Sequence, residues 1–116
     1  MSTRELARAD EPRTEYLTPP VEIYEDDHAL WVSADLPGVA AGDVEVALHD
    51  DLLTFTGRVG QSDDATRRAY RRRFTLSNPS RFDTEHISAV LRLGVLEVRV
   101  PKAERAKPRQ VPITVN

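Results

Sequence analysis

Between Ile87 and Pro101, apolar side chains recur at every second residue on either side of one glycine. Ile87, Ala89 and Leu91 share a face before Gly94; Leu96, Val98 and Val100 share one after it. A period of two belongs to an extended chain with one buried face. Gly94 supplies the backbone freedom of a tight connection, and Pro101, which has no N–H, marks where a central strand must stop. The stretch therefore predicts a β-hairpin, and the same period recurs upstream.

After Pro19-Pro20, Val21, Ile23 and Tyr24 suggest a short edge strand, with Glu25-Asp26-Asp27 as its turn. Leu30, Val32, Ala34 and Leu36 then alternate with Trp31, Ser33 and Asp35 as far as the turn pair Pro37-Gly38. Val44, Val46 and Leu48 share one face of the next run; His49-Asp50-Asp51 reverses the chain, and residues 52–57 return. Residues 59–69 carry no apolar face, so they read as loop. Alternation resumes with Tyr70, Arg72, Phe74 and Leu76, and Ser80 to Asp83 suits a single helical turn. Short strands, frequent turns and almost no helix predict an all-β, antiparallel, immunoglobulin-like sandwich.

The sandwich is expected over residues 19–102. Residues 1–18, mostly polar and interrupted by Pro12, read as a mobile arm. Residues 103–116 read as an extension: a solvated linker rich in basic residues, then Val111-Pro112-Ile113-Thr114-Val115, apolar at every second position. A chain of 116 residues holds one such core. Its net charge of −3 argues against wholesale binding to nucleic acid or anionic membrane. With no cysteine, neither a disulfide framework nor a thiol nucleophile is possible. No apolar run reaches the ~18 residues of a membrane span, and the N-terminus has no apolar signal core, so a cytoplasmic location is expected. His28, His49 and His86 lack metal-ligand spacing, the five glycines are scattered, and no serine sits in a nucleophile elbow. No catalysis, cofactor or metal is expected.

Four motifs add a family to this outline. Ala89 to Lys102 spells A-x4-G-V-L-x-V-x-V-P-K; Asp35 to Val39 spells D-L-P-G-V, with D-V-E-V following at Asp43; residues 52–58 spell L-L-T-F-T-G-R; and Arg72 to Leu76 spells R-x-F-x-L. Together they resemble the small heat-shock proteins, the α-crystallin domain family. The resemblance implies an ATP-independent chaperone, a holdase that binds non-native client proteins, suppresses their aggregation and hands them to separate ATP-driven chaperones. It also implies that Val111-Pro112-Ile113 matches the family's C-terminal I-x-I anchor. The groove that receives such an anchor would lie between the strand after D-L-P-G-V and the strand after Gly94. That carries Val44, Val46, Leu48, Leu96 and Val98 over as groove or core positions, which alternation does not separate. By the same resemblance Arg72, two residues before Phe74, would pair with carboxylates at a dimer interface that Tyr70 and Phe74 share.

The anchor's physics stands without the family. Residues two apart in an extended chain point the same way, so Val111 and Ile113 can enter adjacent pockets together. Pro112 fixes φ and lowers the ordering cost. Each buried side chain contributes about 1.5–3 kcal/mol before that cost, and a linker of about ten residues spans at most ~33–36 Å. Two features depart from the family: the arm is short and polar, and the loop from Arg58 to Arg73 looks shortened. Both predict a homodimer or a small multiple of dimers. Two alternatives are a co-chaperone or protein-interaction module of the same shape, and a nucleic-acid-binding module using the run Arg67, Arg68, Arg71, Arg72, Arg73 with Tyr70.

Overall fold

The computed structural model describes residues 13–60 and 66–115, so residues 1–12 of the arm expected over 1–18 lie outside the described residues. The strands run β1 (Arg13–Leu17), β2 (Val21–Glu25), β3 (Ala29–Asp35), β4 (Val39–His49), β5 (Leu52–Val59), β6 (Thr66–Thr75), β7 (Ser88–Arg92) and β8 (Val95–Pro101). Two sheets of four pack together, ordered β1-β6-β5-β4 and β2-β3-β8-β7. Every pairing is antiparallel except β1 with β6, which is parallel. The expected all-β sandwich is therefore what forms.

The alternation read from the sequence becomes the interior. Val32, Ala34 and Leu36 from the β3 side, Leu53 and Phe55 from β5, and Leu96, Val98 and Val100 from β8 are buried in one cluster. Trp31, Ser33 and Asp35 take the other face, as the period requires. The β7–β8 connection is a two-residue turn in which Arg92 faces Val95, and both Leu93 (φ 50°) and Gly94 (φ 78°) are left-handed. Gly94 also accepts the Leu36 N–H at 2.7 Å, which ties this turn to the end of β3. Gly57 has a different reason. A Cβ there would stand 3.0 Å from Leu36 Cδ1 and 3.3 Å from Val39 Cγ1, so any side chain would have to push these two aside where β4 starts across β5.

Four boundaries differ from the sequence reading. Arg13–Leu17, expected inside the mobile arm, is a strand: Tyr16 pairs with Ala69, and its ring carries the Arg71 guanidinium 3.8 Å from its centroid. β6 begins at Thr66, within the expected loop, because β1 pairs with it from Thr66 and β5 from Ala69, although no apolar period announces it. β4 starts at Val39 and carries an irregularity before Val44, where residues 40–43 bulge out of register. The linker is not simply extended, since Glu104–Ala106 forms one 3-10 turn. Short 3-10 turns at Pro79–Arg81 and Thr84–His86 occupy the segment where a helical turn was expected.

Candidate functional site

The sandwich has two lateral edges, and both bear on what the molecule can bind. At one edge β4, the last strand of its sheet, lies against β7, the last strand of the other. Val44, Val46 and Leu48 point inward from β4 and stay half-buried against the core; Ile87 and Leu91 do the same from the β7 side, with Ala89 exposed between them. The result is an apolar seam two strands wide. Each of these strands pairs on one side only among the described residues, β4 with β5 and β7 with β8, so each presents unpaired backbone N–H and C=O groups.

This arrangement divides the five groove candidates. Val44, Val46 and Leu48 line the seam. Leu96 and Val98 do not, being 1% exposed in the core. They fall on the core side of the choice that alternation left open, and for a simple cause: β8 lies between β3 and β7, so its inward face is covered by the opposite sheet. The strand bordering the seam is the one before Gly94. Ile87 and Leu91, singled out only as the inward face of a hairpin, are the residues the sequence reading missed as lining.

The tail leaves its own seam empty. Val111 is 80% exposed and Ile113 and Val115 are each 88% exposed. Its root, in contrast, is firmly held. Lys102 N–H donates to the His28 carbonyl at 2.8 Å, Ala103 N–H to the Arg81 carbonyl at 2.8 Å, and Arg105 Nη2 to the Ser80 carbonyl at 2.6 Å. Glu25 accepts from Arg81 Nη2 at 3.0 Å and lies 3.5 Å from Lys102 Nζ, so one carboxylate joins β2, the 79–81 turn and the end of β8.

The same network borders the second edge. There a hollow of about 460 Å³ opens between β2 and β6, lined by Ile23, Leu30, Phe74 and Phe82 over Leu53 and Leu76. Nothing in the alternation announced it; the one sign was Phe82, a large apolar residue alone in a polar loop. Tyr70, Arg72 and Phe74, the expected dimer contacts, share the inward face of β6. Tyr70 and Phe74 pack against the core, and the Arg72 guanidinium sits 5.3 Å from the Phe74 ring. Among the described residues no carboxylate of this chain pairs with Arg72.

The remaining polar features belong to turns. Asp26 accepts the N–H groups of His28 and Ala29, each at 2.8 Å, and the Trp31 indole N–H at 2.9 Å. These bonds, the one from His28 foremost, hold its carboxyl below the usual carboxylate range. His86 Nδ1 lies 2.7 Å from Asp83 Oδ2, and that hydrogen bond raises the imidazole above its ordinary value. His28 lies between β2 and β3, His49 ends β4 and His86 ends the 84–86 turn, so the three stand apart. Arg71 and Arg73 face away from the core and Arg72 toward it, so the arginine run is split between two faces.

Comparison with known proteins matches this geometry. Residues 22–114 match the Hsp20/alpha crystallin family. A probable 15 kDa heat shock protein of Leptospira interrogans is 36% identical over 98 residues, which span 78% of this chain and 74% of that one. Among solved structures, heat shock protein 16.0 of Schizosaccharomyces pombe superposes with a TM-score of 0.65 at 26% identity, covering 85% of this chain and 77% of that one. A small heat-shock protein of Xylella fastidiosa, whose structure is described as revealing a distinct high order structure, gives 0.62 at 26% identity, covering 84% and 96%. With a paired-sheet sandwich, an apolar seam and matching sequence from β2 into the tail, this chain belongs to the Hsp20/alpha crystallin family, the small heat-shock proteins.

Proposed function

We propose that this small heat-shock protein, an ATP-independent holdase, assembles by laying its Val111-Pro112-Ile113 tail into the β4/β7 seam of another subunit. The same seam and the free strand edges beside it would cover apolar segments of non-native clients. The observation that carries this reading is the pairing of an exposed apolar tail with a half-buried apolar seam on the same chain. A client that loosens exposes apolar patches and unpaired strand edges, and both find complements here. No nucleotide is required, because binding alone withdraws the client from aggregation; refolding falls to ATP-driven chaperones. Holding the unfolded species draws the equilibrium toward it, so the benefit is less aggregation rather than a more stable client.

One tail contact is weak, but tails repeated around an assembly hold firmly through effective concentration. The working unit is a homodimer or a small multiple of dimers. Tyr70, Arg72 and Phe74 contribute to its interface, residues 103–116 act as the linking extension, and the protein works in the cytoplasm. The test is light scattering from a heat-labile client, without ATP, beside sedimentation of the protein alone. The parent is expected to suppress the scattering. Val111→Gly with Ile113→Gly is expected to leave the unfolding midpoint in place while lowering the assembly mass or the suppression. Parent-like behaviour of that variant in both assays would remove the tail from the mechanism, and twelve or more subunits would overturn the small assembly.

A further inference from the structure

We propose that the tail docks through three side chains rather than two, with Val115 taking a third position along the seam of a second copy of this chain. This rests on the docking reading above and extends it. The first support is commensurate spacing. Val111, Ile113 and Val115 span four residue steps, about 13 Å in an extended chain. Val44, Val46 and Leu48 on β4 span the same four steps, and so do Ile87, Ala89 and Leu91 leading into and along β7. An anchor of Val111 and Ile113 alone would leave two of the seam's four residue steps uncovered.

The second support is the phase of the proline. In an extended chain, the N–H groups of alternate residues point to the same side, and those of the residues between point to the other. Pro112 is out of phase with Val111, Ile113 and Val115. Its missing N–H therefore falls on the side away from an edge strand to which those three residues bond. Thr114 shares the outward phase, and its hydroxyl stays in water. The tail can add to the free edge of β4 or β7 without losing a ladder bond, and Val115 belongs to the bonded set.

The occupant is a second copy because in the single chain all three side chains are almost fully exposed and none rests on its own seam. Exposure of Val115 equals that of Ile113, so the tail's third apolar residue is as fully presented as its second.

The experiment uses a labelled peptide of residues 109–116 and, as receiver, the full-length chain carrying Val111→Gly, Ile113→Gly and Val115→Gly, so that its own tail does not compete. Fluorescence anisotropy reads the affinity. Replacing Val115 by Thr in the peptide keeps the shape and the extended preference but places a hydroxyl at the buried position. The expected loss is about tenfold. Equal affinity within twofold would overturn the third position while leaving the two-residue anchor standing, provided that a peptide with Gly at 111 and 113 fails to bind. No saturable binding of the parent peptide would remove the docking reading and this inference together. Ile23→Lys in the receiver, on the opposite edge, is expected to change nothing; loss of binding there would place the peptide in the β2/β6 hollow and overturn the assignment to the seam.

Discussion

The two lateral edges of the sandwich are built to different ends. At the β4/β7 edge the facing side chains are valine, leucine, isoleucine and alanine, and the sheets close into a shallow seam. At the β2/β6 edge Phe74 and Phe82 stand among the walls and a hollow of about 460 Å³ remains. The first edge can accept small alternating side chains laid along it, which suits a regular tail. The second has depth but no repeat. Alternation decides which residues face inward; the size of the facing side chains decides whether the edge becomes a seam or a hollow.

That contrast can be broken most sharply by mutation of the layer beneath the seam. Leu96→Ala removes a fully buried side chain and is expected to lower stability by about 2–5 kcal/mol, whereas Val46→Ala on the seam itself is expected to cost about 1 kcal/mol. Urea unfolding of the two variants checks this. Similar losses would mean that Val46 belongs to the core and that the seam is no surface at all. A smaller effect is expected in the β7–β8 turn. Leu93 is 98% exposed and held at φ 50°, a conformation that disfavours leucine by about 1–2 kcal/mol. Leu93→Asn is therefore expected to raise stability by about 1 kcal/mol. A lowered urea midpoint would show that this turn is not the left-handed pair described.

The smallest expected effect lies in the segment leading into β7. The Asp83 contact raises the His86 pKa above its ordinary value, so the stabilisation it brings is fully present below about pH 6.5. It is lost as pH rises through the raised value. His86 is largely exposed and Asp83 partly so, and the change is therefore small. An NMR titration of His86 checks it: Asp83→Asn is expected to bring the midpoint down. A midpoint that does not move would show that the pair does not persist in solution.

Much of this molecule was legible in its sequence, because its strands are half-buried and each writes its inward face as a period of two. The inward sets of β3 and β8 and the turn at Gly94 follow from that alone. What escaped was fixed by partners distant in sequence. β1 has too few apolar residues to declare itself and is held by β6 and by Arg71 over Tyr16. β6 begins among arginines whose pairing with β1, not their polarity, makes them a strand. For the candidate site, the tail and the β4 side of the seam were readable. Whether Leu96 and Val98 belonged to groove or core stayed open, because alternation gives a face and not a strand's place in its sheet. The hollow, assembled from β2, β3, β5, β6 and the loop after β6, left only Phe82 as a local sign.

The clamped root of the tail sets a limit on how these molecules can be arranged. With Arg105 fastened to the Ser80 carbonyl, six residue steps separate the last fastening from Val111, so the free leash is at most about 20 Å rather than the longer span its full length suggests. If the tail docks as proposed, a receiving neighbour stands almost shoulder to shoulder with the donor. The outline of any larger particle would then be drawn by the direction in which β8 ends, and cutting the Arg105 tether would loosen that outline without touching a single docking residue.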